Sequence, residues 1–212
     1  RLVGSEMCIR DRLNGVVYRS TGSWYDVKLE DGTFIKSRIK GKFRTKGLRT
    51  TNPLAVGDYV YLIKNDIGEY IVDEIQERKN YIIRKSVNLS KEAHIIASNI
   101  DLAVLLVTIS NPVTATGFID RFTVTAEAYH IPLHIVFNKV DLYEDGDKKT
   151  LLEWESTYSK ANYNNLCISA KTGEGLNKLS ALIADKTTLI AGNSGAGKST
   201  LINQIIPNLA LK

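Results

Sequence analysis

Hydrophobic and polar residues alternate in short segments between Asn14 and about Arg84. Five segments alternate in this way or are rich in β-branched and aromatic residues, and turn residues such as Asp31-Gly32 and Asn52-Pro53 separate them. The segments are Gly15–Ser20, Trp24–Leu29, Thr33–Ile39, Asp58–Lys64 and Tyr70–Glu77. Five short strands with one longer connection between the third and the fourth predict a small closed barrel of the OB type, and an SH3-like barrel is the alternative.

From Asn99 onward the pattern changes to strands that alternate with helices. The predicted strands are Asp101–Ile109, Leu133–Phe137, Leu166–Ile168 and Thr187–Ala191, and the predicted helices are Phe118–Tyr129, Lys148–Lys160, Leu176–Ala184 and Ser199–Ile206. This alternation predicts a parallel sheet with helices on its faces. Because such sheets bind ligands at the carboxyl ends of their strands, the loops that follow the strands are the expected place for chemistry.

The two patterns divide the chain into segments. Residues 1–12 show neither period, and we expect a leader that is either non-native or an ordinary disordered N-terminus. The β-barrel domain is predicted over residues 13–84, a linker with a helix at Lys91–Ser98 over residues 85–98, and the α/β domain over residues 99–212.

Charge is concentrated in the barrel half of the chain. The 212 residues include 28 Lys and Arg and 23 Asp and Glu, which gives a formal charge of +5. Residues 13–90 carry 14 basic and 9 acidic residues, whereas residues 91–212 carry 11 and 12. A polyanionic partner is therefore expected to meet the first half rather than the second.

Composition also excludes several classes of protein. No apolar run approaches the roughly 20 residues that cross a bilayer, so a transmembrane helix is excluded. Cys8 and Cys167 are far apart, and they can form neither a disulfide framework nor a zinc site. We expect a cytoplasmic protein without a membrane partner.

A phosphate-binding loop follows the last predicted strand. The motif G-x-x-x-x-G-K-[ST] is met by Gly192, Asn193, Ser194, Gly195, Ala196, Gly197, Lys198 and Ser199, with Thr200 behind them. A strand before it and a helix after it are the context in which backbone N–H groups and the helix N-terminus hold phosphates. We predict Lys198 and Ser199 as the catalytic residues, with Lys198 on the β- and γ-phosphates and Ser199 as a Mg²⁺ ligand. A glycine-rich turn with a chance Lys-Ser is the alternative.

Two further loops carry residues that suit a guanine base. Asn138, Lys139, Val140 and Asp141 follow the strand that ends at Phe137 and fit N-K-x-D. The Asp141 carboxylate can accept from both the N1–H and the exocyclic amine of guanine, the Lys139 stem can cover the base, and Asn138 can tie this loop to the phosphate loop. Ser169, Ala170 and Lys171 follow the next strand, and the Ala170 N–H is the predicted donor to the guanine carbonyl.

The order of the three motifs is unusual. Ordinary GTPases present the phosphate loop first, whereas here it follows N-K-V-D and S-A-K. With the barrel in front of them, the motifs make Leu13–Lys212 resemble the circularly permuted GTPases of the ribosome-small-subunit-dependent GTPase A family. Such a permutation is tolerated because a sheet needs its strands adjacent rather than consecutive, and domain termini often lie close together.

The resemblance implies a GTP hydrolase in late maturation of the small (30S) ribosomal subunit. It implies GTP or GDP with Mg²⁺ in the α/β domain, 16S rRNA against the barrel, a monomer, and a Zn²⁺ domain whose Cys/His ligands this chain lacks. Only twelve residues follow Thr200. We therefore expect a P-loop GTPase domain that is incomplete at its C-terminus, without the switch threonine and the D-x-x-G loop, and hence weak nucleotide binding and poor hydrolysis.

Basic residues recur at every second position from the third strand onward. They are Lys36, Arg38, Lys40, Lys42, Arg44 and Lys46, followed by Arg49. Period two places strand side chains on one face, which predicts an RNA-binding surface with Phe43, Tyr25 or Tyr59 as stacking planes. A solvated strand face is the alternative. Two other functions also stay open, namely an RNA-binding module with a vestigial nucleotide site and an ATP-dependent enzyme that shares only the phosphate loop.

Overall fold

The structure is a computed structural model that describes residues 12–21, 23–40, 53–65, 67–85 and 93–206. It divides the chain into two units, Arg1–Asn99 and Ile100–Lys212. Apart from Arg12, the predicted leader lies outside the described residues. The finer division into barrel, linker and nucleotide domain stays a prediction.

Five strands of the first unit close into a barrel. They are β1 (Leu13–Thr21), β2 (Trp24–Leu29), β3 (Phe34–Ile39), β4 (Tyr59–Lys64) and β5 (Tyr70–Ile75). The order is β1-β2-β3-β5-β4, in which β3 and β5 run parallel and the other neighbours run antiparallel. This arrangement confirms the OB-type barrel and disfavours the SH3-like alternative.

Inward-facing apolar side chains fill the barrel. Val17, Tyr25, Val27, Leu62 and Val72 are buried together, at positions that alternate with outward-facing residues along their strands. The alternation that predicted the strands therefore arises from a packed interior on one side and water on the other.

Two more strands of the first unit form a hairpin. They are β6 (Tyr81–Lys85) and β7 (Ala93–Ser98), which pair antiparallel. The helix predicted at Lys91–Ser98 is therefore wrong. The β-branched pair Ile95-Ile96 suits a strand, and β6 supplies the backbone partners that a strand needs.

A buried ion pair lies between the barrel and this hairpin. The Asp58 carboxylate, at the start of β4, is fully buried and accepts from Arg78 Nε at 2.6 Å and Nη2 at 2.7 Å. It also accepts from the Ala55 N–H at 2.8 Å and from the Ser98 hydroxyl at 2.6 Å. Because Ser98 ends β7, this cluster connects the hairpin to the barrel.

The second unit is a parallel sheet with helices between its strands, as predicted. Its elements are β8 (Leu102–Val107), α1 (Thr116–Ala128), β9 (Leu133–Phe137), α2 (Asp145–Lys160), β10 (Asn164–Cys167), α3 (Leu176–Ile183), β11 (Thr188–Gly192) and α4 (Lys198–Ile205). The sheet order is β10-β9-β8-β11, and every pair is parallel. The strand β8 is buried at every position, which explains its unbroken apolar sequence.

The order of the strands brings the candidate loops together. The phosphate loop follows β11, the loop of Asn138 follows β9, and the loop of Ser169 follows β10. All three lie at the carboxyl edge of one sheet. Among the described residues, no helix is long and apolar enough to cross a membrane.

Candidate nucleotide-binding site

The phosphate loop connects β11 to α4, the strand–loop–helix context that its sequence predicts. Gly195 and Gly197 adopt positive φ values of 78° and 97°, and Gly197 is the residue at which α4 starts. Between them Ala196 is fully buried. A Cβ added at Gly197 would lie 2.4 Å from the Asn138 amide nitrogen, so only glycine fits between the loop and that side chain.

Lys198 holds its ammonium group against the same loop. Its Nζ donates to the carbonyl oxygens of Gly192 at 2.9 Å and Asn193 at 2.7 Å. Ser199 and Thr200 follow on the first turn of α4 and are exposed. The loop thus holds a cation and a helix N-terminus side by side, the combination that favours a bound anion.

Asn138 joins the three predicted loops. Its side chain is buried, with 1% exposure, at the end of β9. The amide nitrogen donates to the Ala196 carbonyl at 2.8 Å, and the amide oxygen accepts from the Ala170 N–H at 2.9 Å. One side chain therefore sets the phosphate loop and the S-A-K loop relative to the N-K-x-D loop.

Lys139 and Asp141 lie beside Asn138 on the same loop. Lys139 has a φ of 68°, and its Nζ donates to the Asn111 carbonyl at 2.6 Å in the loop after β8. Asp141 lies in the short 3-10 helix Val140–Leu142, and its side chain is exposed. An exposed carboxylate and a lysine whose ammonium group is held by a backbone carbonyl therefore lie on the same loop, at the carboxyl edge of the sheet.

The S-A-K loop is tied to the N-K-x-D loop through the Ala170 N–H, which donates to the Asn138 amide oxygen. The bond from this N–H to a guanine carbonyl stays a prediction. Ser169 is buried and its hydroxyl accepts from the Thr172 N–H at 3.1 Å, whereas Lys171 is exposed. A base carbonyl would have to share the Ala170 N–H with the Asn138 side chain.

Tyr143 is a site residue that the sequence motifs do not reveal. Its buried hydroxyl donates to the Asn138 carbonyl at 2.7 Å and accepts from the Ile109 N–H at 3.0 Å. Burial raises the pKa of Tyr143 to about 12, so the phenol keeps the proton that it donates at neutral pH. The only signal in the sequence is an aromatic residue two positions after Asp141.

Comparisons with known proteins agree with this geometry. The RsgA GTPase family model matches residues 75–212, and the RsgA N-terminal domain model matches residues 14–71. The chain belongs to the RsgA GTPase family. The resemblance seen in the sequence is thereby confirmed.

Individual relatives cover nearly all of the chain. The small ribosomal subunit biogenesis GTPase RsgA of Bacteroides fragilis is 48% identical over 200 residues, and that of Christiangramia forsetii is 52% identical over 203 residues. Each match covers 94% of this chain and 64% of the relative. The chain thus spans about 64% of the length of these relatives.

Solved structures share the fold. The crystal structure of YjeQ from Thermotoga maritima has a TM-score of 0.76 and 34% identity, and covers 95% of this chain and 67% of its own. The structure of YloQ, a circularly permuted GTPase, has a TM-score of 0.71 and 31% identity, and covers 97% of this chain and 68% of its own. The permuted order of the RsgA-family motifs is therefore confirmed.

The basic strand of the RsgA N-terminal domain is only partly described. Lys36 and Arg38 are exposed on β3, and the Lys40 ammonium pairs with the Asp73 carboxylate on β5. Lys42, Arg44, Lys46, Arg49 and Phe43 lie outside the described residues. Of the aromatic residues predicted to stack on RNA bases, Tyr59 is exposed. The prediction for Tyr25 is wrong, because this residue is only 2% exposed and lies inside the barrel.

Replacing Tyr143 with Phe in this RsgA-family chain is expected to weaken GDP binding about tenfold. The ring would still fill its space, but the Asn138 carbonyl and the Ile109 N–H would lose their partner. Each such loss in a buried setting costs about 1–3 kcal/mol of stability, and we expect about 1.4 kcal/mol of it, a factor of ten in affinity, to fall on nucleotide binding. Titration of a fluorescent GDP measures the change.

Tyr129→Phe is the matched control for this test, since Tyr129 lies at the end of α1, outside the three loops. Equal affinity of the Tyr143→Phe variant and the unsubstituted chain would show that Tyr143 does not position the loop of Asn138.

Proposed function

We propose that the protein is a GTP-hydrolysing factor in maturation of the small (30S) ribosomal subunit. The observation that carries the proposal is the meeting of the three nucleotide loops on Asn138, in a chain of the RsgA GTPase family. Both relatives are small ribosomal subunit biogenesis GTPases, which supports the same process for this chain. A vestigial site is not favoured, because the bonds of Asn138 keep all three loops in register.

The phosphate loop is the proposed holder of the β- and γ-phosphates. The described residues fit this group: the Asn138 side chain leaves no room for a Cβ at Gly197, so the loop stays close to that side chain, and Lys198 already places its charge on the loop. In the proposed complex Lys198 would exchange its two carbonyl partners for phosphate oxygens. Its positive charge then stabilises the negative charge that develops during phosphoryl transfer.

Ser199 is the proposed ligand of Mg²⁺. A hydroxyl oxygen on the first turn of α4 is the donor that this hard cation accepts in phosphate loops. Bound Mg²⁺ would neutralise charge on the phosphate oxygens. The described residues contain no cluster of His, Cys, Asp or Glu that could hold the Zn²⁺ implied by the resemblance.

Asp141 is the proposed selector of the base. Its exposed carboxylate can accept two parallel hydrogen bonds from guanine, whereas the corresponding edge of adenine presents no such pair of donors. Lys139 would cover the base with its stem while Asn111 holds its ammonium group. GTP and GDP are therefore the proposed ligands.

The barrel is the proposed contact with 16S rRNA in the small subunit. Lys36 and Arg38 supply exposed charge there, and the remaining basic residues of the predicted surface extend the same stretch of chain. We place the protein in the cytoplasm as a monomer, in keeping with a factor that meets assembling ribosomal subunits.

Asp141→Asn is expected to weaken GDP binding by about a hundredfold and to improve binding of xanthosine diphosphate. An amide presents an N–H where the carboxylate presented an oxygen, so it suits the carbonyl of xanthine and repels the donors of guanine. Two charge-assisted bonds at about 1.5 kcal/mol each give this magnitude. Titration of both labelled nucleotides measures it.

ADP is the control ligand for this test, and Asp185→Asn is the control variant, because Asp185 is exposed and precedes β11, at the opposite edge of the sheet from the base loop. Equal affinities of the unsubstituted chain for GDP and ADP would overturn the guanine assignment in favour of an ATP-dependent enzyme.

A further inference from the structure

The outer face of β1, β2 and β3 carries two clusters in which aromatic rings touch cations. In the first, Tyr18 and Phe34 meet edge to face, with ring centroids 5.3 Å apart and planes at 87°. The Lys28 ammonium lies 5.6 Å from the centroid of Tyr18 and 5.8 Å from that of Phe34. Both rings are exposed, Tyr18 by 51% and Phe34 by 59%. Large rings so exposed on a barrel of this size suggest a contact surface.

The second cluster pairs Trp24 with Arg38. The guanidinium carbon of Arg38 lies 4.0 Å from the Trp24 ring centroid, which places the cation directly on the indole face. Trp24 keeps 36% of its surface exposed, and Arg38 is exposed as well. An indole and a planar guanidinium in contact extend a flat surface on which a further ring can stack.

Charged residues fill the row between the two clusters. The strand register places Asp26 opposite Lys36 on one side and Arg19 on the other. A groove of about 360 Å³ opens here, bordered by Tyr18, Phe34 and this row. With Lys28 and Arg38, the face carries four cations against the carboxylates of Asp26 and Glu30, so its net charge is positive and it complements an anionic partner.

The distance between the two clusters matches the reach of one extended single strand of nucleic acid. Phe34 and Arg38 are four residues apart on β3, or about 13 Å at 3.3 Å per residue. Bases of successive nucleotides can reach both ends while the phosphates between them pass Lys36 and Arg19. Cations that lie between two ring clusters, as Arg19 and Lys36 do on either side of Asp26, are the pattern of single-strand binding sites.

We propose that this outer face of β1–β3 binds unpaired RNA nucleotides, with one base on Phe34 and Tyr18 and another on Trp24 and Arg38. The inference rests on the proposed function and deepens it, since it assigns to the barrel a single-stranded segment of rRNA rather than a duplex. A base exposes its ring face only where it is unstacked and unpaired, whereas A-form duplex presents phosphates and 2′-hydroxyls. The aromatic clusters would contribute nothing to duplex binding.

Tryptophan fluorescence tests stacking directly. Trp24 and Trp154 are the two tryptophans of the chain, and Trp154 lies on α2 in the other unit, so Trp154→Phe leaves Trp24 as the reporter. Unlabelled decauridylate is the single-strand probe, an RNA duplex with the same number of phosphates is the charge control, and polyglutamate is the acidic-peptide control. We expect decauridylate to quench Trp24 and to bind about tenfold more tightly than either control.

Two leucine variants separate stacking from charge. Phe34→Leu and Trp24→Leu keep an apolar side chain at an exposed position, and each is expected to weaken decauridylate binding about tenfold with little effect on the duplex. Affinities are measured with labelled RNA. Lys36→Gln is the matched control, since loss of a phosphate contact is expected to weaken both RNAs alike and to lower the salt dependence by about one ion.

The proposal is overturned if the leucine variants bind decauridylate as the unsubstituted chain does, or if the duplex or polyglutamate binds equally well. In the duplex case the barrel would still bind RNA through charge, and the proposed function would stand. Failure of the unsubstituted chain to bind either RNA, or of the protein to bind small ribosomal subunits, would contradict both proposals.

Discussion

Arg78→Ala is expected to lower the free energy of unfolding of the barrel unit by about 3–5 kcal/mol. The Asp58 carboxylate is fully buried, and its two bonds to Arg78 are the ones that neutralise its charge. Without the guanidinium the charge stays buried with only the Ala55 N–H and the Ser98 hydroxyl as donors. Urea titration followed by Trp24 fluorescence in a Trp154→Phe background measures the loss.

The same titration separates a buried ion pair from an exposed one. Arg12 and Glu74 form an exposed pair at 3.1 Å in the same unit, and Glu74→Gln is expected to change stability by less than about 1 kcal/mol. Arg78→Lys keeps the charge but loses the bidentate geometry, so an intermediate loss of stability is expected. If Arg78→Ala costs no more than Glu74→Gln, the cluster at Asp58 does not hold the hairpin to the barrel.

Strands and helices were predictable wherever one face of an element is buried. Val17 and Val27 face the barrel interior while their neighbours face water, and hydrophobic and polar residues therefore alternate along the sequence of these strands. The sequence of β7 shows no such alternation. Its strand conformation depends on pairing with β6 and on the hydrogen bonds of Ser98 to Val56 and Asp58. Local patterns carry no information about such distant partners.

The nucleotide loops were predictable as motifs because their chemistry needs particular residue types at short spacing. The hydrogen bonds that connect these loops were harder to predict. Asn138 was expected to reach the phosphate loop, but its bond to Ala170 and the support from Tyr143 depend on how three strands are ordered in the sheet. Likewise, nothing near Lys40 in the sequence shows that Asp73 lies beside it.

Gly197→Ala is expected to weaken GDP binding by at least about a hundredfold. The added Cβ would lie 2.4 Å from Asn138 Nδ2, so either the loop or the Asn138 side chain must move. A φ of 97° costs an alanine about 1–2 kcal/mol, and each lost bond of Asn138 costs about 1 kcal/mol more. Since about 1.4 kcal/mol is a factor of ten in affinity, these losses together exceed a hundredfold.

Gly195→Ala isolates the backbone contribution to this loss. Gly195 also has a positive φ, of 78°, but the nearest atom to an added Cβ is Pro112 Cδ at 3.5 Å, an ordinary contact. At about 1–2 kcal/mol for the positive φ, its expected loss is therefore about five- to thirtyfold. Asn138→Ala removes the side chain that the new Cβ would strike, so adding Gly197→Ala to it should cost only the backbone strain. Equal losses for the two glycine variants, or full additivity with Asn138→Ala, would show that the close approach of Gly197 to Asn138 does not hold the phosphate loop in its binding conformation.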